Sequence, residues 1–350
     1  MIHNQKVLIC YNKPSIKYQN YTGKSVLPGE SNLLLSETSF SDNLGFTLST
    51  LKKKYKHVNK LEFDNNIPAV IEKLKKYKPD VCFNFVESFE GESNYESYVT
   101  GIYDILNYEY TGNTMLCLGN CLIKGRTKQI LKSYNLPTPN YMVIPFTKTI
   151  TSIKHILSFP VILKLNSEDA SIGISEDSIV YNDAELINRI KYLFKSYKTD
   201  VLVEEYIEGR EFNVAILGNK VLPISEITFD NLPSNLPKIV TYEAKWAAES
   251  LYYKNTVPKC PAAISDKLKN KLSDLALQSF KALLCRDYAR VDIRVNSKNK
   301  PYVIEVNPNP DISEDTGFAR SAKAAGISYP ELLNKIIKFA TKRKYNGKRN

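Results

Sequence analysis

CRDYARVDIRV (285–295) and YVIEVNPNPDIS (302–313), separated by the polar turn SKNKP, decide how this chain is read. Each begins as a short apolar, β-branched run bounded by turn residues, the pattern of a strand. Side chains alternate along a strand, so Arg290 and Asp292 share one face of the first run, and Glu305 and Asn307 share one face of the second. If the two strands pair, two carboxylates and an amide oxygen meet at one spot. That set of donors suits Mg2+, a hard cation held by few carboxylates together with substrate phosphates. Carboxylates on apolar strands are costly to bury unless they are paired or metal-bound. The competing reading is a surface hairpin whose acids pair with Arg290 and Arg294.

Upstream, KVLICYN (6–12), HVNKLEF (57–63) and VCFNFVE (81–87) read as strands, with helices over 42–54, 67–77 and 95–106 between and after them. This alternation predicts an open α/β sheet. A basic helix (122–134), a strand YMVIPF (141–146), a helix (150–157), a strand PVILKLN (160–166), a helix (183–197) and a strand VLVEEYI (201–207) follow. EFNVAILGN and KVLPISEITF then read as a hairpin turned at Gly218-Asn219. Ser265 is the expected N-cap of a helix running to 285, and further helices begin near Asp315 and Tyr329. Lys164 is the only charge in FPVILKLN. A lone lysine there either reaches into a cleft or guards a sheet edge. The loop after it, SEDASIGIS (167–175), offers backbone N–H groups to anionic oxygens. Lys124 and Lys128 fall one turn apart on one helix face.

At roughly 100–200 residues per domain, a chain of 350 residues makes two or three packed units. Hydrophobic residues form 43% and charged residues 24%, which excludes a wholly disordered protein. No apolar run reaches the roughly 18 residues of a membrane span, and the four apolar residues after Lys6 are too few for a signal peptide, so a cytoplasmic protein is expected. The six cysteines form no CxxC and none pairs with the three histidines at the close spacing of a zinc site, so they read as reduced thiols and not as a zinc site. The same scarcity of histidine argues against a His-based triad. The net charge of +11 is spread over lysines 52–60 and 73–78 and a basic tail, KFATKRKYNGKRN. No RNP, zinc-finger or basic-zipper pattern accompanies it, so solvated helix faces and a frayed tail are expected and nucleic acid is not. Gly23-Lys24-Ser25 fails as a phosphate loop because Tyr18 stands where GxxxxGK[ST] needs glycine, and no GxGxxG follows the first strand.

Taken in order, these segments resemble the ATP-grasp ligases, and within them the D-alanine–D-alanine ligase group. PVILKLNSEDASIGIS resembles the family's strand, lysine and phosphate loop; VLVEEYIEGREFNVAILG its adenine hinge and hairpin; TYEAKW (241–246) its mobile loop. CRDYARVDIRV and YVIEVNPNPDIS resemble its metal-binding ending. The resemblance covers most of the chain from about residue 80 onward. It implies an α/β fold of three domains: an N-terminal open α/β domain (1–120), a central subdomain (121–207) and a C-terminal subdomain with the metal site (208–350), with ATP between the last two.

The resemblance also implies roles. Lys124 and Lys164 hold ATP phosphates, with Ser171 in the loop that covers them. Glu204 faces the adenine amino group, the backbone of Glu205 and Ile207 completes the hinge, and Glu211 accepts from the ribose hydroxyls. Lys245 approaches the γ-phosphate as its loop closes, and Arg290 stabilises an oxyanion. Asp292, Glu305 and Asn307 hold two Mg2+ ions, with Mn2+ as a substitute. The implied activity joins a small carboxylic acid to an amine, an amino acid or short peptide, through an acyl phosphate; a homodimer is compatible with this class. Departures concern the substrates. Ala170 stands where the dipeptide ligases usually have a serine, Trp246 where many have tyrosine, and Asp311 where glycine is typical. The acidic stretch VESFEGESNYES (86–97) is either an amine-recognising segment or a solvated turn. A substrate pair other than two D-alanines is therefore expected. The alternative class is a non-catalytic nucleotide-binding protein that uses its basic faces on an acidic partner.

Overall fold

A computed structural model describes residues 2–13, 15, 17–24 and 35–346; Ser25 and the tail residues 347–350 lie outside them. In chain order come β1 (His3–Asn12), α1 (Leu35–Lys52), β2 (Tyr55–Phe63), α2 (Ile67–Tyr77), β3 (Val81–Phe85), α3 (Tyr95–Ile105), α4 (Met115–Leu122) and α5 (Lys124–Ser133). The middle of the chain gives β4 (Tyr141–Ile144), β5 (Val161–Leu165), β6 (Ile179–Val180), α6 (Asp183–Tyr197) and β7 (Val201–Glu205). There follow β8 (Arg210–Leu217), β9 (Lys220–Val221), β10 (Ser225–Thr228), α7 (Tyr242–Trp246), α8 (Leu251–Asn255), β11 (Val257–Lys259) and α9 (Asp266–Ala282). The chain closes with β12 (Tyr288–Val295), β13 (Pro301–Asn307), α10 (Gly317–Ala324) and α11 (Tyr329–Asn346).

Three sheets result. The first is parallel in the order β2-β1-β3, as the alternation of strand and helix predicts. One face packs on α2 and α3 through Leu8, Val70, Leu74 and Tyr103. The other packs on α11, where Leu332, Leu333, Ile336 and Ile337 meet Val7, Ile9, Val81 and Phe83. The end of the chain thus closes back on its beginning. The second sheet, β4-β7-β5-β6, is antiparallel and lies on α6. The third runs β11-β10-β8-β12-β13, with β9 beside β8, and is covered by α9. Its interior strand β12 carries Val291, Ile293 and Val295, all fully buried. Each contributes roughly 1.5–3 kcal/mol of burial.

Local signals behave as expected in several places. Ser265 caps α9 by accepting from Leu268 N, and Asn182 caps α6 by accepting from Glu185 N. The remaining differences have physical causes. The helix expected over 150–157 is irregular chain. There Leu157 N donates to His155 Nδ1 and Ser158 N to Glu205 Oε1, so side chains satisfy amides that a helix would use. The helix expected over 122–134 is two helices, α4 and α5, because Ile123 sits extended at ψ 97° between them. The basic tail is not frayed as far as 346: α11 runs through it. Arg343 is held by Asp287, by Glu109 and by the Tyr110 carbonyl.

Candidate active site

β12 and β13 pair antiparallel, with Asp292 opposite Glu305 and Arg290 opposite Asn307. The register slips by one just beyond Asp292, a bulge that leaves Ile304 unpaired on β13. The strand pairing read from the sequence is thus present; Asp292 is buried on an interior strand and not on a surface hairpin, although it does pair with Arg290 as the alternative had it. Arg290 donates to both oxygens of Asp292, at 2.7 and 2.8 Å, and Asn213 Nδ2 of β8 donates to one of them at 2.7 Å. Asn307 Oδ1 accepts from Asn309 N.

Lys124 opens α5 and reaches across to this strand pair. Its Nζ lies 3.0 Å from Glu305 and 2.9 Å from Asp169, and donates to the Glu168 carbonyl. Burial works against the charge of Glu305, yet Lys124, Lys164 and Lys245 together hold its carboxyl far below the usual range. Burial and the neighbouring Glu305 push Asp169 upward against the pull of Lys124. Lys245, on α7, is lowered by burial and by the charge of Arg290, against the attraction of Glu305 and Asp292.

Next to this cluster, Glu204 lies between two lysines. Lys164 Nζ is 2.6 Å from one oxygen and Lys128 Nζ 2.5 Å from the other, with Lys128 and Glu204 side chains 1% and 2% exposed. Burial raises Glu204, but the two cations outweigh it and hold its carboxyl below the ordinary value. Lys164 is therefore neither a solvated gatekeeper nor at a free edge: β5 is central, between β7 and β6. At the end of β7, the Glu205 N–H donates to Asn140 O, and the Ile207 carbonyl accepts from Arg294 Nε. Arg294 also binds Glu211 at 2.8 Å and the carbonyls of Gly209 and Lys238, so it ties the segment after β7 to the large sheet.

The loop after β5 is clasped from two sides. From α7, Trp246 Nε1 donates to Ala170 O at 3.0 Å and Tyr242 N to Ile174 O; just ahead of that helix, Val240 O accepts from Ser171 Oγ. From the segment after β1, Lys17 and Tyr18 hold Glu168 at 2.8 and 2.7 Å, and Tyr21 O accepts from Gly173 N. Gly23 sits at φ +76°, and a Cβ there would lie 2.3 Å from Gly173 O. This explains its glycine as a close backbone approach and not as a phosphate loop. Not all amides of the loop can serve anions, because Ile172 N and Gly173 N already donate to Asp169 O and Tyr21 O.

Asp311 accepts from Ser313 N at 2.8 Å and so caps the turn after Pro310. Burial raises its carboxyl. Nearby, Asn309 Nδ2 donates to Glu96, which is buried and pushed well above its usual range by burial. The stretch 86–97 is accordingly not a merely solvated turn: Glu96 is buried, and Ser93 donates to Glu168. Sequence reasoning missed Asp169, Glu168, Asn213, Glu96 and the Lys17–Tyr18 pair. Their partners lie tens to more than a hundred residues away, and no local pattern announces such contacts.

Residues 130–338 match the family described as D-ala D-ala ligase C-terminus. The chain is 34% identical over 300 residues to a D-alanine–D-alanine ligase of Carboxydothermus hydrogenoformans, covering 82% of this chain and 88% of that one. It is equally similar, 34% over 267 residues and 76% of each chain, to an uncharacterized protein, y4sG, of Sinorhizobium fredii. Its fold matches a crystal structure of the Bacillus anthracis D-alanine–D-alanine ligase complexed with ATP, with a TM-score of 0.74 over 98% of this chain and 100% of that one, at 24% identity. Among the described residues no helix is long and apolar enough to cross a membrane.

Proposed function

The chain belongs to the D-alanine–D-alanine ligase family of ATP-dependent ligases, and from that premise we propose that it joins a small carboxylic acid to an amine through an acyl phosphate, releasing ADP. The observation that carries this reading is the Asp292–Glu305 pair across β12 and β13, set inside the cations Lys124, Lys164, Lys245 and Arg290. A carboxylate is a poor electrophile. One of its oxygens attacks the γ-phosphorus of ATP and ADP leaves. The amine then attacks the activated carbonyl, sheds a proton, and phosphate departs from a tetrahedral oxyanion.

The donor set of Asp292, Glu305 and Asn307 is all hard oxygen, which fits Mg2+ or Mn2+, with two ions in our reading. Bound there, the metal would neutralise charge on the transferring phosphoryl group. Lys124 and Lys164 would give up part of their pairing with Glu305 and Glu204 to face phosphate oxygens, and Lys245 would join them from the lid. Arg290, fixed by two hydrogen bonds to Asp292, is a preorganised charge for the oxyanion; removing such a donor costs about 3–4 kcal/mol of barrier. Glu204, the Glu205 carbonyl and the Ile207 N–H would hold the adenine, and Glu211 the ribose. The Trp246–Ala170 latch would keep water from the acyl phosphate. The segments 1–120, 121–207 and 208–350 would act as the three moving parts.

For the substrates, Ala170, Trp246 and Asp311 support a pair other than two D-alanines, one member being larger than alanine or carrying a further polar or cationic group. Coupled ADP release over D- and L-amino acids, with product masses, tests both levels. Release that depends on no amine would overturn the ligase reading. Efficient D-alanyl-D-alanine formation would overturn the substrate reading alone.

A further inference from the structure

Cys117 and Cys121 stand one turn apart on α4, and Cys285 lies in the turn between α9 and β12. Sequence spacing hides this triplet, since its third member is more than 160 residues away. The fold brings the three sulfurs to within 4.8 Å of one another, with Cys117 and Cys285 only 3.5 Å apart. At a metal–sulfur distance of about 2.3 Å, three thiolates in a plane around one ion are roughly 4.0 Å apart. The cluster needs only small adjustments to reach that spacing.

A second observation concerns charge. Arg286 follows Cys285 directly in the chain. Its Nη2 is buried and has no hydrogen-bond partner among the described residues, while its Nε donates to Gly112 O and its guanidinium lies over the Tyr110 ring. A guanidinium with one buried, unpartnered nitrogen thus stands next in the chain to Cys285. Cys285 is only partly buried, which gives an ion a way in.

We propose that Cys117, Cys121 and Cys285 form a binding site for a soft, three-coordinate monovalent ion, Cu(I), separate from the ligase centre. Soft thiolates select such ions. Structural zinc is almost always four-coordinate, and the cluster has three members among the described residues. Binding displaces the thiol protons, and the bound ion pins α4, three residues ahead of Lys124, to the start of β12.

The test uses the full chain, reduced and free of oxygen, competing for Cu(I) against a chromophoric Cu(I) chelator. The expected result is one equivalent withdrawn per chain, with thiolate-to-copper absorption in the ultraviolet and a higher melting temperature. Cys285→Ser, at the partly exposed position, should lower affinity at least tenfold, and Cys117→Ala with Cys121→Ala should abolish binding. Cys260→Ala, outside the cluster, should bind as the parent does. Circular dichroism confirms that each variant is folded. Uptake equal in the parent and in Cys285→Ser overturns the proposal, as does cysteine-dependent uptake of Zn(II) with none of Cu(I).

Discussion

Replacing Glu204 with Gln tests the electrostatic logic of the site more sharply than removing any lysine. Lys128, Lys164 and Glu204 form a buried group of net charge +1, with contacts of 2.5 and 2.6 Å. Glu204→Gln raises that to +2 and leaves two ammonium groups facing an amide. Breaking a buried pair by deleting one partner costs about 3–5 kcal/mol, and here both cations lose their counter-charge, so the upper half of that range is expected. Lys128→Met is close to conservative in volume and leaves a neutral Lys164–Glu204 pair, so about 1–2 kcal/mol is expected from the lost contacts. The double variant should be more stable than Glu204→Gln alone. Urea unfolding followed by circular dichroism measures all three. The acid limb gives a second reading. The carboxyl of Glu204 is depressed in the folded chain, so its stabilisation is present above the unfolded carboxylate pKa of about 4.3 and is lost as pH falls through the depressed value. Glu204→Gln should flatten that limb. If Lys128→Met proves costlier than Glu204→Gln, counting charges is the wrong account of this cluster.

Glu305→Gln should keep the fold and abolish Mg2+-dependent turnover, because it removes the charge that pairs with Lys124 and is proposed to hold the metal; full activity would sink the metal assignment. Trp246 is the only tryptophan and donates to Ala170 O, so its fluorescence should change on adding ATP with Mg2+, and Trp246→Phe should remove the signal; an unaltered spectrum would argue that the latch does not sense nucleotide. Glu96 is raised in the folded chain, so its protonated form stabilises the fold below the unfolded pKa of about 4.3 and that stabilisation is lost as pH climbs through the raised value. Melting temperatures should therefore fall less steeply with rising pH in Glu96→Gln than in the parent, and parallel curves would contradict it.

The parts of the fold legible in the sequence are those where one period rules. Val291, Ile293 and Val295 alternate with Arg290, Asp292 and Arg294, so the strand, its pairing and the meeting of Asp292 with Glu305 could be read directly. The N-terminal alternation of strand and helix gave its parallel sheet for the same reason. Illegible were the contacts made by tertiary closure. Ile150, Ile153 and Leu157 have helical spacing and two of them are buried, but amides nearby are captured by His155 and Glu205, and no helix forms. Lys17 meets Glu168 across 151 positions, and Cys117 meets Cys285 across 168. No window of local sequence contains either pair. Asp311 caps its turn through the Ser313 amide two residues on, an Asx-turn contact of short range.

The pairings inside the site bear on how nucleotide and metal depend on one another. Lys124 faces Glu305 and Asp169, Lys164 faces Glu204, and Arg290 faces Asp292. Each of these three cations is thus already compensated by a carboxylate of the chain. A nucleotide that drew Lys124 toward its phosphates would weaken the contact that keeps Glu305 charged, at the cost of an uncompensated, half-buried carboxylate. A divalent ion held, as proposed, at Asp292 and Glu305 would remove that cost. Conversely, an ion entering alone would meet the positive charge of Lys124, Lys245 and Arg290, which phosphates would offset. On the proposed assignment the two ligands would relieve each other's penalty, and linkage requires the gain to be the same in both directions. Titrations of ATP at several Mg2+ concentrations, and of Mg2+ at several ATP concentrations, should yield one common coupling factor above unity. In Glu305→Gln, where the carboxylate to be compensated is gone, that factor should fall toward one; an unchanged factor would mean that the coupling arises elsewhere.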